Sequence, residues 1–248
     1  MGFTTLVYHE IRKKAEFNPE SPSAIDVTQD YNDILPSPLF VTLEHFEEQM
    51  RYIHNEGFHI LTVDEVKNYY YAGIDIPEKS VLITFDDCYQ SMKKYAYPIL
   101  KEYGFHAVSF VVTGWLHEVG KGFTPERSVC LTKEDLTEMT DVFQYANHTD
   151  SFHQRTDVKT SMMMSTTDEE FAQDLDKCNK YVPVKDVFAY PFGLFNDRNV
   201  NVLKEKGFKL AFTTETGPNT QETDPLHLRR NVVPYFIDMD AFTKILGE

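Results

Sequence analysis

Cysteine is scarce in this chain of 248 residues: Cys88, Cys130 and Cys178 are its only three. They are too few and too scattered for a disulfide framework or a cysteine-rich zinc site, so reduced thiols are expected. Basic residues are also short, with 24 lysines and arginines against 39 acids and a formal charge of −15. That balance opposes attraction to nucleic acid or to an anionic membrane surface, and no basic cluster offsets it. Long apolar runs are missing, since no stretch approaches the ~20 residues of a membrane-spanning helix. The amino terminus, Met1-Gly2-Phe3-Thr4-Thr5-Leu6-Val7-Tyr8-His9, lacks the basic and apolar segments of a signal peptide. As it stands the chain is expected in the cytoplasm, and outside the cell or at the cell wall if an export signal has been trimmed away. Neither a glycine-rich phosphate loop nor a serine nucleophile elbow occurs, which removes those two routes to catalysis.

What is there fits a globular enzyme. Hydrophobic residues make up 42% of the chain and charged residues 25%, ordinary values for a packed domain, and the length suits a single α/β barrel. One domain over 1–248 is therefore expected. Short apolar runs at 5–8, 59–62, 81–85, 107–113, 142–146, 187–190 and 210–213 alternate with helical patterns at 43–55, 63–71, 90–103, 133–139, 168–181 and 197–206. Thr62 and Thr132 stand where helix caps belong, and Gly57, Gly104 and Gly207 where helices should stop. Strand and helix alternating without an internal repeat predict an α/β barrel, whose functional residues gather at the carboxyl ends of the strands. The stretch from 11 to 38 is polar and proline-bearing, far longer than a usual connection, and is expected to form a surface loop.

The run Val81-Leu82-Ile83-Thr84-Phe85 ends abruptly in Asp86 and Asp87. Buried charge is costly unless it is paired or bound to a cation, so two acids at the end of a buried strand call for compensation. A second cluster, His148-Thr149-Asp150-Ser151-Phe152-His153, offers two imidazoles. Five residues apart, they would lie about 140° apart around a helix and on opposite faces of a strand, so they must bracket a turn to meet. Two histidines and one carboxylate would form a facial set with positions left open for water and substrate. Taken singly, the acid pair reads as a solvated turn, and His148 and His153 as a strand cap and a surface residue.

Together with other segments, these residues make the chain resemble the polysaccharide deacetylases, the NodB-homology group or carbohydrate esterase family 4. The likeness begins at Tyr8-His9 and runs through 46–61, Thr84-Phe85-Asp86-Asp87 and Tyr97-Pro98-Ile99-Leu100-Lys101-Glu102-Tyr103-Gly104. It continues in Asn147-His148-Thr149 with His153, Tyr190-Pro191-Phe192-Gly193 and Arg230-Asn231-Val232-Val233. The resemblance implies a distorted (β/α)7-type barrel that hydrolyses N-acetyl groups of amino sugars. It implies one divalent metal ion held by Asp87, His148 and His153, with zinc favoured and cobalt, nickel or manganese compatible. Asp86 would be the general base, and the backbone N–H of Phe192 would help to hold the oxyanion. The histidine spacing, and a Tyr190-Pro191-Phe192-Gly193 motif without the arginine that often precedes it, resemble the poly-N-acetylglucosamine branch.

Two departures stand out. Cys88 replaces the family's usual glycine after the acid pair, and Leu226-His227-Leu228 matches the late Leu-x-His motif only loosely. His227 is the favoured general acid, with His9 the competing acid or substrate contact, and Tyr190 and Pro191 are placed beside the substrate. Arg230 is expected to pair with Asp86 in place of the missing arginine. The expected function is de-N-acetylation of an N-acetylglucosamine polymer, exopolysaccharide ahead of peptidoglycan or chitin oligomers. An amidohydrolase or esterase acting on a small acetylated molecule, or a catalytically weak sugar-binding homologue, is the alternative. The sequence carries no signal for oligomeric state.

Overall fold

The computed structural model describes residues 2–21 and 23–248. Its main sheet is built on β1 (Gly2–Tyr8), β2 (His59–Ile60), β3 (Ser80–Asp86), β4 (Ala107–Val111), β5 (Phe143–Asn147), β6 (Val184–Ala189) and β7 (Leu210–Phe212). Every residue of β3 is buried, which is why this stretch reads as one apolar run rather than an alternation: parallel strands are covered on both faces. β3 pairs with β1 along one edge, from Phe3 opposite Ser80 to Tyr8 opposite Phe85. Its other edge is shared by β2 at the start and β4 at the end. β5, β6 and β7 follow in parallel order, while β8 (Asn219–Thr220) runs antiparallel on the start of β1.

The sheet curls back on itself. Leu228 bridges Phe212 of β7, and β9 (Asn231–Val232) pairs in parallel with Leu6 and Val7 of β1. The result is the distorted (β/α)7-type barrel that the sequence led us to expect. Helices α1 (Leu43–Asn55), α2 (Val63–Tyr71), α3 (Tyr97–Glu102), α4 (Lys133–Thr137), α5 (Asp168–Cys178), α6 (Asp197–Glu205) and α7 (Met239–Leu246) accompany it. Thr62 and Thr132 cap α2 and α4 through reciprocal hydrogen bonds with Glu65 and Asp135, satisfying amides that would otherwise lack partners. No helix among the described residues is long and apolar enough to cross a membrane.

Three stretches depart from the sequence expectations. The helix expected over 90–103 is a wide π turn, Met92–Ala96, running into α3. Pro98 has no N–H for an ordinary helical bond, and its ring crowds the carbonyl four residues earlier, so the turn before it widens. α7 went unforeseen; Asp238 caps it by accepting from the Ala241 amide, and its Phe242 is fully buried against the barrel. The segment from 11 to 38 carries strands of its own. Glu10–Arg12 pairs with Phe40–Thr42, and Ser23–Asp26 lies between Ile34–Leu35 and Arg127–Val129. Buried Arg12 ties this region together, pairing with Glu10 and donating to the carbonyls of Pro125 at 3.1 Å and Arg127 at 2.8 Å.

Candidate active site

Asp86 closes β3, and the backbone then turns through two residues in the left-handed region, Asp87 at φ 70° and Cys88 at φ 56°. Such conformations cost about 1–3 kcal/mol each outside glycine, which explains why glycine suits the Cys88 position. The turn is held by the Asp87 amide, which donates to the Phe110 carbonyl at 3.1 Å. Cys88 is buried with its Sγ 3.2 Å from Ser109 Oγ.

His148 follows directly on β5. Its Nδ1–H donates to the Ala189 carbonyl at 2.7 Å, which leaves Nε2 as a lone pair toward the cavity, the tautomer a metal ligand needs. Thr149 at φ 76° then reverses the chain, its amide donating to Asn147 Oδ1 at 2.8 Å. Asp174 of α5 fastens the turn, accepting from the amides of Asp150 at 2.7 Å and Ser151 at 2.9 Å and from the Ser151 hydroxyl at 2.8 Å. The loop thereby returns His153 to the site, with Nε2 3.4 Å from Asp87 Oδ1; His148 Nε2 lies 3.7 Å from the same oxygen. The sequence reading missed Asp174. Its signal was a carboxylate within the apolar stripe of Phe171, Leu175 and Cys178, all on the buried face of α5.

Asp87, His148 and His153 each offer a ligand atom, all within 4.8 Å of one another. Asp87 Oδ1 is buried without a hydrogen-bond partner. Burial, with the Asp86 charge beside it, pushes the Asp87 carboxyl well up, and burial holds His148 and His153 down. Two neutral imidazoles and a carboxyl whose proton a cation would displace thus converge on one buried point. That is an arrangement a divalent cation satisfies.

Asp86 is the opposite case. Burial alone would raise it, but the Arg230 guanidinium, with His148 and His9 nearby, holds its carboxyl well below the usual range. Arg230 donates Nη1–H to Asp86 Oδ1 at 2.7 Å and Nε–H to the Thr213 carbonyl at 2.9 Å. His9 places Nε2 3.8 Å from Asp86 Oδ2, and burial pushes this imidazole down to about 4 despite the attraction of Asp86.

Phe192 stands at φ 59° just after β6, with its ring 4.4 Å from that of His153. Gly193 follows at φ 67°, where a Cβ would lie 2.0 Å from Thr214 Oγ1, so a side chain there would have to displace Thr214. Tyr190 is buried, stacks on Phe195 at 4.0 Å and donates its hydroxyl to the Leu226 carbonyl at 3.0 Å. One cavity collects His9, Asp86, Asp87, His148, His153 and Arg230, and Tyr190 and Phe192 also line it. Pro191 and His227 do not. His227, the acid that the sequence favours, is half-buried away from this cavity, Nδ1 3.2 Å from Asp224 Oδ2, its ring 5.3 Å from Phe195.

Residues 73–211 match the family model for polysaccharide deacetylase. The chain belongs to the polysaccharide deacetylase family. It is a carbohydrate de-N-acetylase by class, and the matched region takes in Asp86, Asp87, His148, His153 and Phe192 while leaving His9, His227 and Arg230 outside. The poly-β-1,6-N-acetyl-D-glucosamine N-deacetylase of Staphylococcus aureus is 30% identical over 213 residues, 83% of this chain and 70% of the relative. That of Staphylococcus epidermidis is 28% identical, covering 98% of this chain and 81% of the relative. Among solved structures, the Streptococcus pyogenes deacetylase PplD in complex with acetate superposes with a TM-score of 0.76 at 25% identity, over 99% of this chain and 98% of PplD. IcaB from Ammonifex degensii shares the fold with a TM-score of 0.73 at 21% identity, over 99% of this chain and 96% of IcaB.

Proposed function

We propose that this protein is a metal-dependent de-N-acetylase of poly-N-acetylglucosamine exopolysaccharide, with Asp87, His148 and His153 as the ligands. The observation that carries the reading is the division between the two acids. Asp87 faces two imidazoles with an unpartnered oxygen, and Asp86, one residue away, is held ionised by Arg230. The names of the staphylococcal relatives support the choice of polymer. Zinc suits the ligand set, and cobalt, nickel and manganese are compatible with it.

Bound at this trio, the ion would supply Lewis acidity toward the acetyl carbonyl and lower the pKa of water. The chain's own residues do the remaining work. Asp86, ionised throughout the neutral range, accepts the proton that the attacking water gives up. The Phe192 amide donates to the oxyanion, a fixed dipole needing no reorganisation. His9, neutral at rest, lies on the cavity 3.8 Å from Asp86 and relays to the departing amine the proton that Asp86 takes from water, in place of His227 outside the cavity. Arg230 keeps Asp86 aimed and charged.

The test is incubation of metal-loaded protein with β-1,6-linked N-acetylglucosamine oligomers, chitin oligomers, peptidoglycan fragments and a panel of small acetamides and acetate esters. Equal release of acetate and amine from the β-1,6-linked oligomers is expected. Turnover confined to the small molecules would replace the reading with a small-molecule amidohydrolase or esterase, and binding of oligomers without turnover would replace it with a sugar-binding homologue.

A further inference from the structure

The outer wall of the cavity is made by side chains that the proposed chemistry leaves unused. Asp33 comes from the 11–38 segment and Arg155 from the hairpin of Arg155–Asp157 with Thr160–Ser161; both line the cavity. They meet across it, Arg155 Nη2 lying 3.6 Å from Asp33 Oδ2 with the side chains 36% and 27% exposed. A pair this wet can change partners without the full cost of desolvating a buried charge. Asp33 is held in place from its own segment: the Tyr31 hydroxyl donates to Oδ2 at 2.6 Å and the Ile34 amide to Oδ1 at 2.8 Å. A carboxylate accepts about four hydrogen bonds, so room remains for another donor.

The wall is built onto the reacting centre. The Arg155 guanidinium lies over the Phe192 ring at 5.0 Å, and that ring is 4.4 Å from His153. On the other side Tyr31 stacks on Trp115 at 5.8 Å, and Trp115 is 4.5 Å from His153. Trp115 lines the same cavity, is 2% exposed, and its Nε1 has no hydrogen-bond partner. An indole N–H can only donate, and leaving a buried donor unpaired is costly. An acceptor brought by a ligand removes that cost.

We propose that Asp33, Arg155 and Trp115 form a recognition wall for the sugar ring whose acetamide is being hydrolysed. Asp33 accepts from ring hydroxyls, Arg155 donates to them, and Trp115 Nε1–H donates to a substrate oxygen nearer the metal ligands. A hydroxyl both gives and takes a hydrogen bond, which an acid beside a guanidinium matches. The Arg155 charge weighs against an ammonium group as the occupant. This wall rests on the de-N-acetylase reading and adds to it the residues that distinguish a sugar from any other acetylated molecule.

The test compares wild type with Asp33→Asn, Arg155→Gln and Trp115→Phe, each metal-loaded. It measures kcat and KM on a β-1,6-linked N-acetylglucosamine oligomer and on 4-nitrophenyl acetate, which has no ring hydroxyls. The ratio of kcat/KM for oligomer over ester is expected to fall about tenfold or more in each variant, the scale of a lost hydrogen bond involving a charged or buried group. For Asp33→Asn and Arg155→Gln the loss should lie chiefly in KM. If wild type hydrolyses both substrates and the variants lose both in step, or lose neither, the wall is refuted while the de-N-acetylase reading stands. Wild type that hydrolyses the ester and not the oligomer overturns the reading, and the wall with it.

Discussion

Replacing Arg230 with methionine removes the cation from beside two adjacent buried carboxylates while keeping much of the side chain's bulk. Arg230 is 1% exposed and donates to Asp86 at 2.7 Å and to the Thr213 carbonyl at 2.9 Å. Deleting one partner of such a pair costs about 3–5 kcal/mol, because the other charge stays buried and uncompensated. For a chain of this size that corresponds to a fall of roughly 6–20 °C in Tm at neutral pH, with metal removed by chelation so that binding does not mask it. The pH dependence gives the sharper signature. In the wild type the Asp86 carboxyl is held well below its ordinary value, so its contribution is complete above the unfolded value of about 3.9 and is lost as pH falls toward the folded one. Without Arg230, burial dominates and raises Asp86, so the ionised group destabilises the variant as pH rises above that unfolded value. The gap between the two proteins should be widest near neutrality and should shrink as pH falls to about 4. Urea unfolding of both across that range measures it. A gap below about 1 kcal/mol at neutral pH, or one that does not change with pH, would mean that Arg230 only packs and would refute the electrostatic account.

The two acids should separate. Asp86→Asn is expected to keep the metal and lose about 10²–10⁴ in kcat, whereas Asp87→Asn, like His148→Ala and His153→Ala, should lose the metal as well; elemental analysis beside kinetics reads both, and full metal retention in Asp87→Asn would remove it from the ligand set. His9→Ala should lower kcat/KM on the oligomer by about 10² or more, with His227→Ala close to wild type, and the reverse order would restore His227 as the acid. Gly193→Ala should cost about 1–3 kcal/mol from its positive φ alone, with more from the contact with Thr214 Oγ1, and an unchanged unfolding midpoint would contradict the close approach.

Much of the barrel was legible because parallel strands buried on both faces must be apolar along their length, and helices must carry caps and stops. The runs at 81–85 and 107–113 and the caps at Thr62 and Thr132 say so directly. The turn between His148 and His153 was legible from spacing, since neither helix nor strand can aim both rings at one point. What joins that turn to α5 was only half legible: the apolar stripe of α5 marks Asp174 as buried, but its partners, two backbone amides and the Ser151 hydroxyl, leave no mark in the side-chain pattern. The 11–38 segment was opaque for a related reason. Its strands are two to four residues long and pair with partners as distant as Arg127–Val129, so no local periodicity records them.

The placement of the proposed proton donor shows how far strand geometry reaches. His227 ends a turn, its amide donating to the Asp224 carbonyl at 2.8 Å, and the segment that closes the barrel begins at Leu228, which bridges Phe212 ahead of Arg230. Leu226, Leu228 and Arg230 are buried while His227 and Arg229 are not, so a segment that turns Arg230 toward Asp86 turns His227 away. Arg230 accordingly lines the cavity and His227 does not. His9 follows from register instead. Tyr8 of β1 pairs with Phe85 of β3 in parallel, which puts the next residue, His9, beside Asp86 at the carboxyl end of the barrel, where its Nε2 comes to 3.8 Å from the carboxylate. His9 is therefore held beside Asp86 by the pairing of the two strands that carry them, at the same 3.8 Å from Oδ2 as His148 Nε2, and moving it would require breaking the centre of the sheet.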